Sequence, residues 1–188
     1  MWNNADAIIR ARLGQNEQLL WSAQPRGGVA FRIEDLYLIP FSLLWGGFAI
    51  FWEWGVSNSG APLFFRLWGV PFVAVGLYMI IGRFFYDAWL RSNTYYGLTS
   101  DRALIVRRTI GDSVRSIELR TLGDVTLSVN NDQSGTITLG NDTPGSGWFS
   151  LSPWSRSYYV SAPRFERIEH ASDVYNQVRD AQRAAQSS

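Results

Sequence analysis

Few residues in this chain have types and spacings suited to catalysis. There is no Cys and a single His, His170, in 188 residues. That excludes disulfides, thiolate metal sites, a cysteine nucleophile and any site needing several His ligands. A serine triad would need His170 beside an activated hydroxyl, yet Ser150, Ser152 and Ser155 lack the Gly-x-Ser-x-Gly elbow that exposes a nucleophile. Asp124, Asp132 and Asp142 do not follow calcium-loop spacing. Gly145-Ser146-Gly147 is too short to cradle a phosphate. All 17 basic residues are Arg, so no Lys is present to form a Schiff base. The expectation is a protein that is not an enzyme and uses no cofactor and no metal. An enzyme acting on a membrane substrate is the less favoured alternative.

Two groups have types suited to binding. The first is Arg102, Arg107, Arg108 and Arg115, expected at hairpin turns and strand ends. Arg side chains so placed contact anionic lipid headgroups, worth about 1 kcal/mol per basic residue near a membrane surface. The competing reading is a set of solvated strand ends balanced by Asp101, Asp112 and Glu118. Adjacent strand residues point to opposite faces, so Arg107 and Arg108 cannot both join one pocket. The second group is Trp148, Phe149 and Trp154, set among Gly and Ser. These rings either anchor a partner or dip into a membrane interface, or they plug the open end of a sheet. The net charge of +1 gives no bulk attraction to nucleic acid, and no nucleic-acid partner is expected.

The elements that position these residues are of two kinds. Mean hydropathy is only −0.08, but the apolar residues are concentrated. Leu36 to Trp52 is seventeen residues without a charge, and Leu67 to Gly82 is sixteen more. A bilayer core is about 30 Å thick and takes about 17–25 helical residues to cross. Neither run carries a polar stripe of helical period, which a half-exposed soluble helix needs. The expectation is a transmembrane hairpin with helices at about 36–54 and 63–83; a buried core hairpin of a soluble protein and a re-entrant hairpin are the alternatives. Trp52, Trp54 and Trp68 cluster near the link and Trp89 at the other end, as interface anchors do. Ser42 and Gly46 form a small-xxx-small pair that lets helices approach closely. Arg residues are denser outside the link than within it. The link is therefore expected outside and both termini in the cytoplasm.

From Thr94 the pattern changes. Turn signals recur at intervals of roughly 8–12 residues, as in an antiparallel sandwich or barrel. Short segments alternate between apolar and polar, as in Val125, Leu127 and Val129, or Ile137 and Leu139. The chain closes with a helix for which Ser172 is the expected N-cap, and Gln182 to Ser188 reads as a fraying tail. Ala5 to Leu13 reads as a short helix.

Three separated pieces resemble a known family. They are Gly14, Glu17, Leu20, Trp21 and Pro25; Tyr96, Leu98, Thr99 and Arg102; and Phe165, Ile168, Val174, Tyr175 and Val178. In this order, around two apolar helices, they resemble the membrane-anchored bacterial pleckstrin-homology (PH-like) domain proteins. The resemblance implies an α+β membrane protein: a two-helix transmembrane hairpin, then a bent antiparallel β-sheet or barrel of about seven strands, capped by a C-terminal helix. The implied division is a cytoplasmic N-terminal segment over 1–33, the hairpin over 34–90 and a cytoplasmic PH-like domain over 91–188. The expected location is the bacterial cytoplasmic membrane, as a multi-pass protein. The expected role is binding or scaffolding at the membrane face. Its partners would be the lipid bilayer and another protein or a second copy of the chain. Anionic lipid headgroups are the alternative ligand.

Overall fold

The computed structural model describes residues 4–28, 35–141 and 162–187. The chain divides into two compact units. One joins Met1–Gly27 to Leu90–Ser188, and the other is Gly28–Trp89. The N-terminal segment is thus part of the β unit, and the hairpin is inserted within that unit.

Four helices are described: α1 (Asn4–Arg10), α2 (Asp35–Asn58), α3 (Leu63–Ser92) and α4 (Ala171–Ser187). The strands are β1 (Leu19–Ala23), β2 (Thr94–Thr99), β3 (Arg102–Arg108), β4 (Asp112–Glu118), β5 (Val125–Val129), β6 (Gly135–Leu139) and β7 (Arg164–Ile168). Among the described residues they form two open antiparallel sheets, in the orders β1-β2-β3-β4 and β5-β6-β7. Among the described residues no closed barrel forms. β1 pairs with β2 although the whole hairpin lies between them in sequence.

The β unit has one main core and a smaller one. The main core takes Leu98, Ile105, Ile137 and Phe165 from the strands, Leu119 from the bend after β4, and Val174 and Val178 from α4. The smaller one lies on the other face of the first sheet, where Ala5 and Ile9 of α1 cover Tyr95, Leu104 and Val106. Gly97 makes that cover possible. A Cβ there would sit 2.6 Å from Ile9 Cγ2, closer than any carbon pair tolerates.

Three local expectations change. Helix α4 starts at Ala171, so Ser172 lies inside its first turn. The carbonyl of His170 accepts the N–H groups of Asp173 and Val174 instead. The expected tail is helical to Ser187, because Gln182 is buried and its amide donates to the carbonyls of Leu122 (2.8 Å) and Gly123 (3.3 Å). Val129, expected on the buried face, is 47% exposed at the end of an edge strand. Gln182→Leu is expected to cost about 1–3 kcal/mol, since two loop carbonyls lose their donor inside the protein. Thermal unfolding of the full chain in detergent measures it, and an unchanged midpoint contradicts it.

The hairpin unit is built differently. Its helices meet through small residues. Ser42, Gly46 and Ala49 are buried on α2, and Gly69 and Gly76 on α3. A Cβ on Gly76 would lie 2.8 Å from the Gly46 Cα. The expected small-residue contact is therefore present, with its partner stripe on α3. One layer further, the Glu53 carboxylate lies over Gly69. At the other end Arg83 Nη2 pairs with Asp35 Oδ1 at 3.1 Å. The outward residues are large and bare. Leu44, Phe48, Phe51 and Trp54 on α2, and Phe64, Leu67 and Phe85 on α3, are each at least 60% exposed. Core helices of a soluble protein bury such residues. Both helices are long and apolar enough to cross a membrane.

Helix α3 runs past its expected end at about 83. A π-helical turn at Tyr78–Gly82 lets the Tyr78 ring lie over Gly82. Beyond it the helix becomes amphipathic, with Arg83, Asp87 and Arg91 at four-residue intervals.

Candidate functional site

The sequence-marked residues separate into a structural clamp, a basic hairpin tip and a cleft. The clamp forms first, from the loop after α1. Asn16 takes a positive φ of 68°, a conformation Asn tolerates better than most residues. The loop turns back so that the Gly14 N–H donates to Glu17 Oε2 at 2.6 Å. Arg102, at the start of β3, then grips the same carboxylate with two donors. Nε reaches Oε1 at 2.8 Å and Nη2 reaches Oε2 at 2.9 Å. The Thr99 hydroxyl donates to Oε1 at 2.7 Å. Arg102 also donates to the Arg12 carbonyl and to Ser116 Oγ.

The Glu17 side chain is only 4% exposed. The Arg102 hydrogen bond is the main reason its carboxyl is held down at about 2, from an ordinary 4.5. Burial opposes the shift, and the Gly14 N–H and Thr99 hydroxyl add to it. Arg102 is pushed upward in turn, chiefly by Glu17. Arg102, for which headgroup contact and a solvated strand end are the two expectations, has its guanidinium engaged in tying the N-terminal segment to β3.

The other motif residues also converge. Trp21 of β1 packs on Phe165 of β7 with ring centroids 5.7 Å apart, and Tyr96 of β2 packs on Phe165 at 4.9 Å. The Tyr96 hydroxyl accepts the Glu166 N–H at 3.1 Å. The three separated pieces of the sequence pattern thus meet in one core and one clamp.

Of the remaining marked Arg residues, Arg107 and Arg108 lie at the other end of β3, and Arg115 stands midway along β4. Arg107 faces Ser113 across the ladder, and Arg115 faces Ile105. Both therefore share the face that carries Ile105 into the core. Arg108 is on the opposite face, with Nε 3.9 Å from Asp112 Oδ1. Asp112 also pairs with Arg12, in the turn after α1. The three-residue loop 109–111 joins the strands, and its middle residue, Ile110, is 100% exposed. Sequence reading passed over Ile110; the signal available was a bulky apolar residue beside a Gly-Asp turn.

The cleft, of about 680 Å³, lies between the segment after β1 and the start of α4. Trp21, Pro25 and Val174 give it apolar walls, and Gln24, His170 and Gln177 add polar groups. Arg26 at its rim is held by Glu169 at 3.0 Å and Asp132 at 2.8 Å. His170 is exposed there and takes a positive φ of 49°.

Of the expected interface anchors, Trp52 and Trp54 lie near the link end of α2 and Trp68 near the link end of α3. Trp89 lies in the last turns of α3. Their exposures run from 37% for Trp52 to 66% for Trp54. Trp148, Phe149 and Trp154 lie outside the described residues. Among the described residues no three His, Asp or Glu side chains gather as a metal site would require. Comparison of the chain with family models, curated proteins and solved structures finds no match.

Proposed function

We propose that this protein is a non-enzymatic, membrane-anchored PH-like module that binds or scaffolds partners at the cytoplasmic face of a bacterial membrane. The observation that carries the reading is the pairing of β1 with β2 across the hairpin. The chain leaves the β unit at Gly27 and returns to it at Leu90. Both ends of the hairpin therefore emerge on the side that holds the β unit, while its link reaches the other. Charged residues mark the two ends. Asp35 and Arg83 stand at one, and Glu53 and Arg66 at the other. Seventeen and sixteen residues separate them along α2 and α3, so the charges stand about 26 Å apart at 1.5 Å rise per residue, close to the hydrocarbon thickness. The Arg-rich side is placed in the cytoplasm.

The PH-like part of the reading rests on the order of elements. Four strands, then three, then a closing helix follow in sequence order. The residues of the family pattern hold that arrangement together. Anchoring keeps the module at the membrane, so that weak contacts with a neighbouring protein suffice at high local concentration. The test is affinity capture from detergent extracts with the full chain and with a chain lacking 94–188. Partners recovered only by the full chain support the reading. The same partners with both chains, or none with either, contradict it.

A further inference from the structure

We infer that Glu53 and Arg66 form half of a self-complementary interface, completed by a second copy of the chain, in which the carboxylate of each copy pairs with the guanidinium of the other. The inference rests on the anchored reading above and names the partner of the hairpin at its link end.

The hairpin holds few charges. Between Asp35 and Arg83 the sequence has one acid, Glu53, and one base, Arg66. The two ends of the hairpin treat their charges differently. At one end Arg83 meets Asp35 at 3.1 Å. At the link end Glu53 Oε2 and Arg66 Nε are covered by protein and have no hydrogen-bond partner, and among the described residues neither side chain has an ion pair. The Ser57 hydroxyl is the nearest donor to Glu53, at 3.5 Å from Oε1, the long limit of a hydrogen bond. Yet the two charges are close. The Glu53 carboxylate lies over Gly69, in the space that a side chain there would fill. Arg66 stands three residues before Gly69, on the same face of α3 and about 4.5 Å nearer the link. Charges in a membrane helix are costly unless they pair. Here a carboxylate and a guanidinium sit within one helical turn of each other, at the edge of the hydrocarbon, and neither is satisfied.

Both residues are half-buried, so each still opens to a neighbour. A surface that carries both signs is complementary to itself. A two-fold axis along the membrane normal brings Glu53 of one copy to Arg66 of the next and repeats the pair on the other side. Both copies then keep their links on the same face of the membrane. The long Arg stem spans the one-turn offset in depth, and the guanidinium fork takes both carboxylate oxygens. Trp52, whose ring also lies against Gly69, is partly exposed beside the pair and adds aromatic contact of the kind that interfaces favour. A lipid phosphate would satisfy Arg66 and repel Glu53. The partner must carry both signs at this spacing, and a second copy does so by construction.

The chain has no Cys, so Ser59→Cys, exposed in the link, takes one dye per copy. Full-length donor-labelled and acceptor-labelled copies are reconstituted together in phosphatidylcholine vesicles at falling protein-to-lipid ratios. Energy transfer above the level of random encounter is expected to persist on dilution. Glu53→Gln and Arg66→Gln, each alone, remove both pairs of the dimer and are expected to weaken association about tenfold. Mixed with one another, the two variants restore one pair, and association recovers about threefold over either alone. A pair formed within one copy gives no such complementation. A dye at Phe48→Cys, quenched by acyl-chain labels, reports the insertion of each variant separately. Transfer at the random level in inserted, unsubstituted protein overturns the inference and leaves the anchor standing. So does full association in either variant, or a mixture no stronger than its parts. A water-like dye at 48 removes the anchor and the inference together.

Discussion

Arg102→Ala is expected to destabilise the β unit by about 3–5 kcal/mol, because it leaves the Glu17 carboxylate without its counter-charge, held only by the Gly14 N–H and the Thr99 hydroxyl. For a chain of this size that lowers the melting midpoint by roughly 10 °C. The loss has a structural direction. Glu17 and Arg102 join the loop after α1 to the start of β3, so α1 and β1 are the elements released. Hydrogen exchange on the full chain in detergent should rise first in residues 4–23. Arg102→Lys should recover only part of the loss, since an ammonium cannot span both carboxylate oxygens as the guanidinium does. A headgroup ligand would behave differently: lipid binding would fall while the midpoint stayed.

The same clamp sets an acid limb. The Glu17 carboxyl is held at about 2 in the folded state, against an ordinary 4.5. A depressed carboxyl contributes stability that is fully present above its unfolded value. That contribution drains away as pH falls from about 4.5 toward 2. Glu17→Gln removes this titration, so the variant is less stable at neutral pH but flatter through the acid range. Melting midpoints at a series of pH values measure both effects. Parallel curves for the two proteins contradict the assignment.

Gly76→Val should force the hairpin helices apart. A Cβ on Gly76 would meet the Gly46 Cα at 2.8 Å. Backbone cannot swing aside as a side chain can, and carbon atoms prefer about 3.5–4.0 Å, so two extra methyl groups separate the helices by on the order of 2–3 Å. That breaks the one contact face the two helices share, because their other large residues point outward. Spin labels at Phe48→Cys and Leu77→Cys, both exposed, read the separation by pulsed electron resonance. A longer and broader distance in Gly76→Val is expected. Gly47→Val, at a site with nothing within 4 Å, should leave the distance unchanged. Equal distances in all three proteins contradict the packing.

Some of this was legible in the residues and some was not. The apolar helices, the small-residue pair on α2 and most strands announce themselves by period and by turns. The extension of α3 to Ser92 escaped notice because its last turns trade a uniformly apolar surface for an amphipathic one. Strand β1 was missed for a different reason. LLWSA has no clean alternation, and its partner β2 lies seventy residues away across the hairpin. Such pairing is set by tertiary context, which local propensity does not contain. The role of Arg102 was hidden in the same way. A lone Arg after a turn looks like a solvated charge until Glu17, eighty-five residues upstream, is folded against it. Ile110 is the converse case. It was passed over, and only the fold shows it projecting into solvent.

The central claim is that α2 and α3 cross a membrane as an insertion in one β unit, so that both chain ends share a side and the link alone lies opposite. Single thiols at Asn4→Cys, Ser59→Cys and Ser187→Cys, each in an exposed position, test it most directly with a membrane-impermeant reagent on intact cells. The account predicts labelling at 59 before lysis, and at 4 and 187 only after it. Labelling of 4 and 187 on opposite sides, or protection of all three until lysis, would contradict it.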